Sequence, residues 1–419
     1  MTVRKTYLIP IILAILITLP GLYLRLSGTA DGWLAAVSPD RNLVVCVALL
    51  TGLAVVGASF LLLWACDAAQ EDISQTLALA IVALIAVLPE YAVDMYITWQ
   101  AGHHPAYAPL AIANMTGANR LIIGVAWMCV AGVCWLKTRR GVRIERARRT
   151  ELFFLGLATL YAFVIPLKGS LAWYDGVVFF LIYCWYIRVA GRVEVAESEA
   201  EGPAELLLSL PQTPRRLVTA GMFLFSALVI LLSAKPFSEG LINSGKLYHL
   251  NEFLLVQWLA PIASEAPEFT VAIMFALRKR AGLALGSLLS SNLNQWTLLV
   301  GMIPWVYAFA HGSFNSSIPM NTSQMQEILL TAAQSLLGIV LLARLRLSIG
   351  QALLIFGLFL GQLILPLLFD AYPRLLPFHV SAAVVHPAFS LIYIGIALTV
   401  VLRHYRRILT LRHGTSAYK

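Results

Sequence analysis

Two stretches of the chain place acidic side chains where apolar ones are expected. The first reads Ile85-Ala86-Val87-Leu88-Pro89-Glu90-Tyr91-Ala92-Val93-Asp94. The second reads Ile262-Ala263-Ser264-Glu265-Ala266-Pro267-Glu268-Phe269-Thr270-Val271. Each puts a Pro-Glu pair inside an apolar run long enough to cross a bilayer. A carboxylate at membrane depth is costly and by default marks function. Proline removes one helical hydrogen bond and pushes away the carbonyl four residues earlier. Pro89 should therefore free the carbonyl of Ile85, and Pro267 that of Ala263. Carboxylates beside loosened carbonyls suit a hard cation such as Ca2+, which takes about six to eight oxygen ligands. Glu90 and Asp94 stand four apart, and Glu265 and Glu268 three apart, so each pair shares a helix face. Carboxylates that converge without a cation repel and bind protons more readily. Proton binding is then the natural competitor of cation binding.

Two further segments offer polar ligands in the next apolar span of each half. They read Asn114-Met115-Thr116-Gly117-Ala118-Asn119-Arg120 and Gly286-Ser287-Leu288-Leu289-Ser290-Ser291-Asn292, and both look like breaks in a helix. The candidate cation ligands are Glu90, Glu265, Glu268, Asn119, Asn292, Ser264, Ser291 and Gln295. Asn114 and Ser287 fit hydrogen bonding between helices equally well. Asp94 lies one turn beyond Glu90, toward the expected outer mouth, as a candidate for proton coupling or charge compensation. Asp67 is expected to cap a helix near the inner surface.

The rest of the chain must position these groups in a membrane. It is 59% hydrophobic and 12% charged, far from the soluble average. Apolar runs near 7–27, 43–66, 74–101, 107–136, 150–167, 170–190, 217–235, 251–277, 282–310, 326–343, 349–369 and 381–402 each match the ~30 Å hydrocarbon core, about twelve helices in all. Backbone polar groups need internal partners there, so the expected class is an all-α polytopic membrane protein. The net charge of +9 does not indicate nucleic acid, because Lys and Arg gather in alternate connections. Those are Arg4 and Lys5, Lys137 to Arg149, Arg188 to Arg216, Arg278 to Arg280, Arg344 and Arg346, and Arg403 to Lys419. That alternation places both termini in the cytoplasm, with a bacterial inner (plasma) membrane as the expected location. The five cysteines lie in apolar spans without metal spacing and read as packing residues.

The spans divide into two halves. Residues 1–42 hold an extra helix and an outer loop, 43–190 a first repeat of five spans, and 191–216 a polar cytoplasmic linker. Residues 217–369 hold a second five-span repeat, and 370–419 a final helix with a basic cytoplasmic tail. An odd number of spans per repeat inverts the second relative to the first. A binding site is then expected near the midplane, between the repeats.

At the Pro-Glu pairs and third-span asparagines the chain resembles the cation/calcium exchanger superfamily, which holds the sodium/calcium exchangers. The resemblance implies two inverted five-helix repeats, and it implies that Glu90 and Glu268 bind calcium. Asn119, Ser291 and Asn292 match positions of the family's Gly-Ser-Asn signature. The sequence departs from the pattern at Ala86, Val87, Ala118 and Ile122, where the family carries polar ligands used in sodium coupling. It gains Glu265. Arg120 stands where an apolar residue is usual, and it is expected to offset the charge of Glu265. The expected function is a cation antiporter exchanging Ca2+ for H+ or Na+, with no resident cofactor and no partners beyond inorganic cations and the lipid bilayer. The same fold moving another cation, or a degenerate repeat protein that does not transport, are the alternatives. An intramembrane enzyme is not expected, because no HExxH or nucleophile-base pairing accompanies the kinks. His386, within the last span, reads as structural.

Overall fold

The structure is a computed structural model that describes residues 2–35, 40–72, 87–191, 202–371 and 382–409. Among the described residues, twelve long helical segments fall on the predicted spans. They are α1 (Thr2–Leu26), α2 (Arg41–Ala69), α3 (Leu88–His103), α4 (Pro105–Thr138), α5 (Arg146–Lys168), α6 (Trp173–Ala190), α7 (Gln212–Tyr248) and α8 (Glu252–Leu277), then α9 (281–311), α10 (Thr322–Leu342), α11 (Ile349–Ala371) and α12 (Val385–Leu409). Nine of the described helices are long and apolar enough to cross a membrane. The first half of the span predicted at 74–101 lies outside the described residues, as do parts of the linker and of the basic tail. Leu8, Ile9, Leu13 and Leu16 of α1, and Leu224, Leu228 and Leu231 of α7, are exposed. Rows of that kind on helices of this length suit a hydrocarbon solvent.

The chain divides into two compact units. One comprises Met1–Ala101 with Glu194–Pro267, and so takes α1 and the first two helices of each repeat, α8 as far as Pro267. Its core joins Ala54, Ala58 and Leu62 of α2 to Ala92 of α3 and to Val229, Ile230 and Ala234 of α7. The helices approach closely at Gly240, where a Cβ would come within 2.9 Å of the Ala48 backbone. Small residues at such crossings let helix backbones meet without the help of a hydrophobic effect. Asp67 lies in the last turn of α2, so it does not cap a helix start. Asp72, just past that helix, binds Arg215 of α7 through two bonds of 2.8 and 2.9 Å.

The other unit comprises Gly102–Val193 and Glu268–Lys419, and takes the last three helices of each repeat plus α12. Inverted symmetry is visible in its connections. The segment after α4, Val142–Arg143, pairs with Arg346–Leu347 after α10. The segment after α5, Ser170–Leu171, pairs with Ile318–Pro319 after α9. The link after the third span of one repeat thus meets the link after the fourth span of the other, at each end. Two repeats running the same way through a bilayer could not do this.

The asparagine segments are not breaks. Both third spans stay helical and widen into a π turn at the same register, Ile122–Ala126 in α4 and Gln295–Leu299 in α9. Each turn begins three residues after its asparagine, Asn119 or Asn292. Single π turns of this kind are frequent at functional sites.

Candidate cation site

Glu90 sits in the first turn of α3, directly after Pro89. Proline fits there, since the N–H it lacks would have no helical partner anyway. A carboxylate in the first turn also meets the positive end of the helix dipole. Glu265 and Glu268 lie in the middle of α8, which runs on through Pro261 and Pro267. Pro267 cannot donate to the Ala263 carbonyl, so that oxygen is released inside the helix. The same Pro-Glu sequence therefore has two settings, a helix start in one repeat and a proline step in the other. Ile85, expected to lose its hydrogen bond to Pro89, lies outside the described residues.

Glu90 and Glu265 each present a carboxylate oxygen, and the two lie within 4.8 Å of each other, while Glu268 follows Glu265 by three residues in α8. Glu265 is fully buried and Glu90 is 2% exposed. Carboxylates held this close repel one another, and a divalent cation would relieve that repulsion. Asp94 is also fully buried, one turn along α3. Ser264 is buried and its hydroxyl turns back to the carbonyls of Ala260 and Pro261, at 3.3 and 3.4 Å.

The predicted amide ligands form a second group. Asn292 Nδ2 donates to Asn119 Oδ1 at 3.2 Å and to the Asn119 carbonyl at 3.4 Å. Asn119 Nδ2 donates to the Met115 carbonyl at 3.0 Å. The two repeats thus join through their matching asparagines, both fully buried. Gln295 opens the second π turn and is 1% exposed, while Ser291 is half-buried.

Arg120 finds a carboxylate that the sequence did not suggest. It is 1% exposed and forms an ion pair with Glu327 of α10, itself 3% exposed. Its charge therefore has compensation without Glu265. His386 Nδ1 lies 3.1 Å from the other oxygen of Glu327. That histidine is in the first turn of α12, near one end of the span. Glu327 carried one faint signal, its spacing of seven from Gln334, which puts two large polar residues on one face of the helix.

A profile of the sodium/calcium exchanger protein family matches residues 43–191 and 218–368. An uncharacterized membrane protein of Methanocaldococcus jannaschii is 21% identical over 216 residues, or 51% of this chain. That match spans 64% of the relative's own length. Among solved structures, the crystal structure of the H+/Ca2+ exchanger CAX is 38% identical, with a TM-score of 0.87. It covers 99% of this chain and 100% of its own. The sodium-calcium exchanger NCX_Mj is 19% identical with a TM-score of 0.52, covering 77% of this chain and 98% of its own, a likeness of fold.

Proposed function

The chain belongs to the sodium/calcium exchanger protein family, and on that premise we propose that it is a membrane antiporter exchanging Ca2+ for H+ by alternating access. The observation that carries this is the buried pair Glu90 and Glu265, with carboxylate oxygens within 4.8 Å, and the half-buried Glu268 three residues on in the same helix as Glu265. Glu90 and Glu268 bind the cation directly. Glu265 completes the carboxylate set in the calcium-loaded state and keeps a proton in the other. The released Ala263 carbonyl and the amides of Asn119, Asn292 and Gln295 are the neutral ligands of the same cycle. Repulsion among bare carboxylates drives protonation as the cation leaves, and protonation lowers the affinity for its return.

Two further points favour H+ over Na+. Val87, Ala118 and Ile122 put apolar side chains where the family resemblance implies polar ligands for sodium. The H+/Ca2+ exchanger CAX is similar over the whole chain. The protein acts on no covalent bond of its substrate. The basic connections orient it with both termini in the cytoplasm of a bacterial inner membrane. Reconstituted protein should take up Ca2+ against an outward-directed proton gradient, in the absence of Na+. Uptake that needs Na+ and ignores the proton gradient would overturn proton coupling.

A further inference from the structure

The ion pair between Arg120 and Glu327 is not explained by stability alone. A buried ion pair is often matched or bettered by apolar residues of the same volume. Its neighbours suggest another use. Arg120 follows Asn119 directly, so whatever fixes the arginine also fixes the asparagine that holds Asn292. The arginine is fixed in several ways. Its guanidinium pairs with Glu327, and its Nε donates to the Thr116 carbonyl at 3.3 Å. Its own carbonyl, just before the first π turn, accepts from Gln334 Nε2 at 3.1 Å. Gln334 in turn accepts from Gln362 Nε2 of α11 at 3.0 Å. The next residue of α10, Ser335, accepts from the indole of Trp296 at 3.0 Å, and Trp296 lies in the second π turn. Helix α10 therefore holds both π turns, one through Gln334 and Arg120, the other through Ser335.

We infer that Arg120 is a positioning residue: pinned to α10 by Glu327 and Gln334, it sets the Asn119–Asn292 pair on which cation affinity depends. The inference rests on the proposed Ca2+ exchange for its functional reading, but its geometry can be tested without transport. Groups that orient cation ligands from behind are worth about 10–100-fold in affinity when removed. The guanidinium matters here for its shape as well as its charge, because it reaches a carboxylate and a backbone carbonyl together. Lysine keeps the charge and loses the fork.

The test uses Arg120→Gln, Arg120→Lys, Glu327→Gln and the exchanged pair Arg120→Glu/Glu327→Arg in the full-length protein. Proteoliposome flux then separates KM for Ca2+ from maximal rate. We expect KM to rise about tenfold or more in Arg120→Gln and Glu327→Gln, with a smaller rise in Arg120→Lys. The exchanged pair should recover part of the loss. An unchanged KM in a folded Arg120→Gln protein, with only thermal stability reduced, overturns the inference and leaves the exchanger reading intact. If the wild type moves no Ca2+, that reading fails and a second readout decides. Asn119→Cys/Asn292→Cys, made with the five native cysteines replaced, should be bridged by Cd2+ only while Arg120 is present. Equal bridging with and without Arg120→Gln overturns the inference.

Discussion

The three carboxylates are unequal partners, and single substitutions should separate them. Glu90→Gln or Glu268→Gln removes a ligand charge from each repeat in turn. Either change should bring Ca2+ exchange to background, while the protein still inserts and keeps its elution profile in detergent. Glu265→Gln leaves two charges for the cation and deletes a proton acceptor. It should retain Ca2+ binding and flatten the pH dependence of flux, measured from pH 6 to 8 on the order of one unit at a time. An unaltered pH profile would remove Glu265 from the proton cycle. At this scale the sequence was most legible where polarity was doubled. Glu90 and Glu268 were visible because a Pro-Glu pair occurs twice in apolar spans. Glu327 was not, since a lone glutamate near a helix end has many bland explanations. Its meaning depends on Arg120, which lies 207 residues away in the chain.

Among the elements, the helices were legible and their irregularities were not. Apolar length alone fixed the twelve segments, but a π turn adds one residue to a helical turn without disturbing the apolar pattern. The asparagine segments accordingly read as breaks, whereas both are continuous helix. The first π turn packs tightly: a Cβ on Gly124 would lie 2.5 Å from the Phe359 ring of α11. Gly124→Val should destabilise the fold by about 1–3 kcal/mol through overpacking. Pairing it with Phe359→Ala should recover part of that loss, because residues in contact do not contribute additively. Thermal unfolding of the four proteins in detergent measures the coupling, and strict additivity would mean the two do not meet. Pro267→Ala restores the hydrogen bond to the Ala263 carbonyl. It should lower Ca2+ affinity without lowering thermal stability, since one oxygen returns to the helix.

For the whole molecule, the inverted repeats were readable from the order of motifs, and the crossed pairing of the short connections shows how they interlock. The division into a unit of first and second helices and a unit of third to fifth was not readable, because spacing along the chain does not say which spans pack together. Asp72 links the first helix of each repeat at one end. The Arg215 fork holds its carboxyl well below the usual 3.8, at about 2. A carboxyl with a lowered folded-state pKa contributes stability above its ordinary value, and loses it as pH falls through the lowered one. Thermal stability should therefore gain an acid-sensitive component between pH 3.8 and about 2 that Asp72→Asn lacks. Identical acid profiles for the two proteins would show that the latch does not contribute. The central claim is that the carboxylates of Glu90, Glu265 and Glu268 exchange Ca2+ for H+. It is tested most directly by Ca2+ uptake into proteoliposomes under imposed proton gradients of both signs, with Glu268→Gln beside the wild type. The account predicts wild-type uptake that reverses with the gradient and none in the variant. Uptake indifferent to the gradient, or equal in the two proteins, would contradict it.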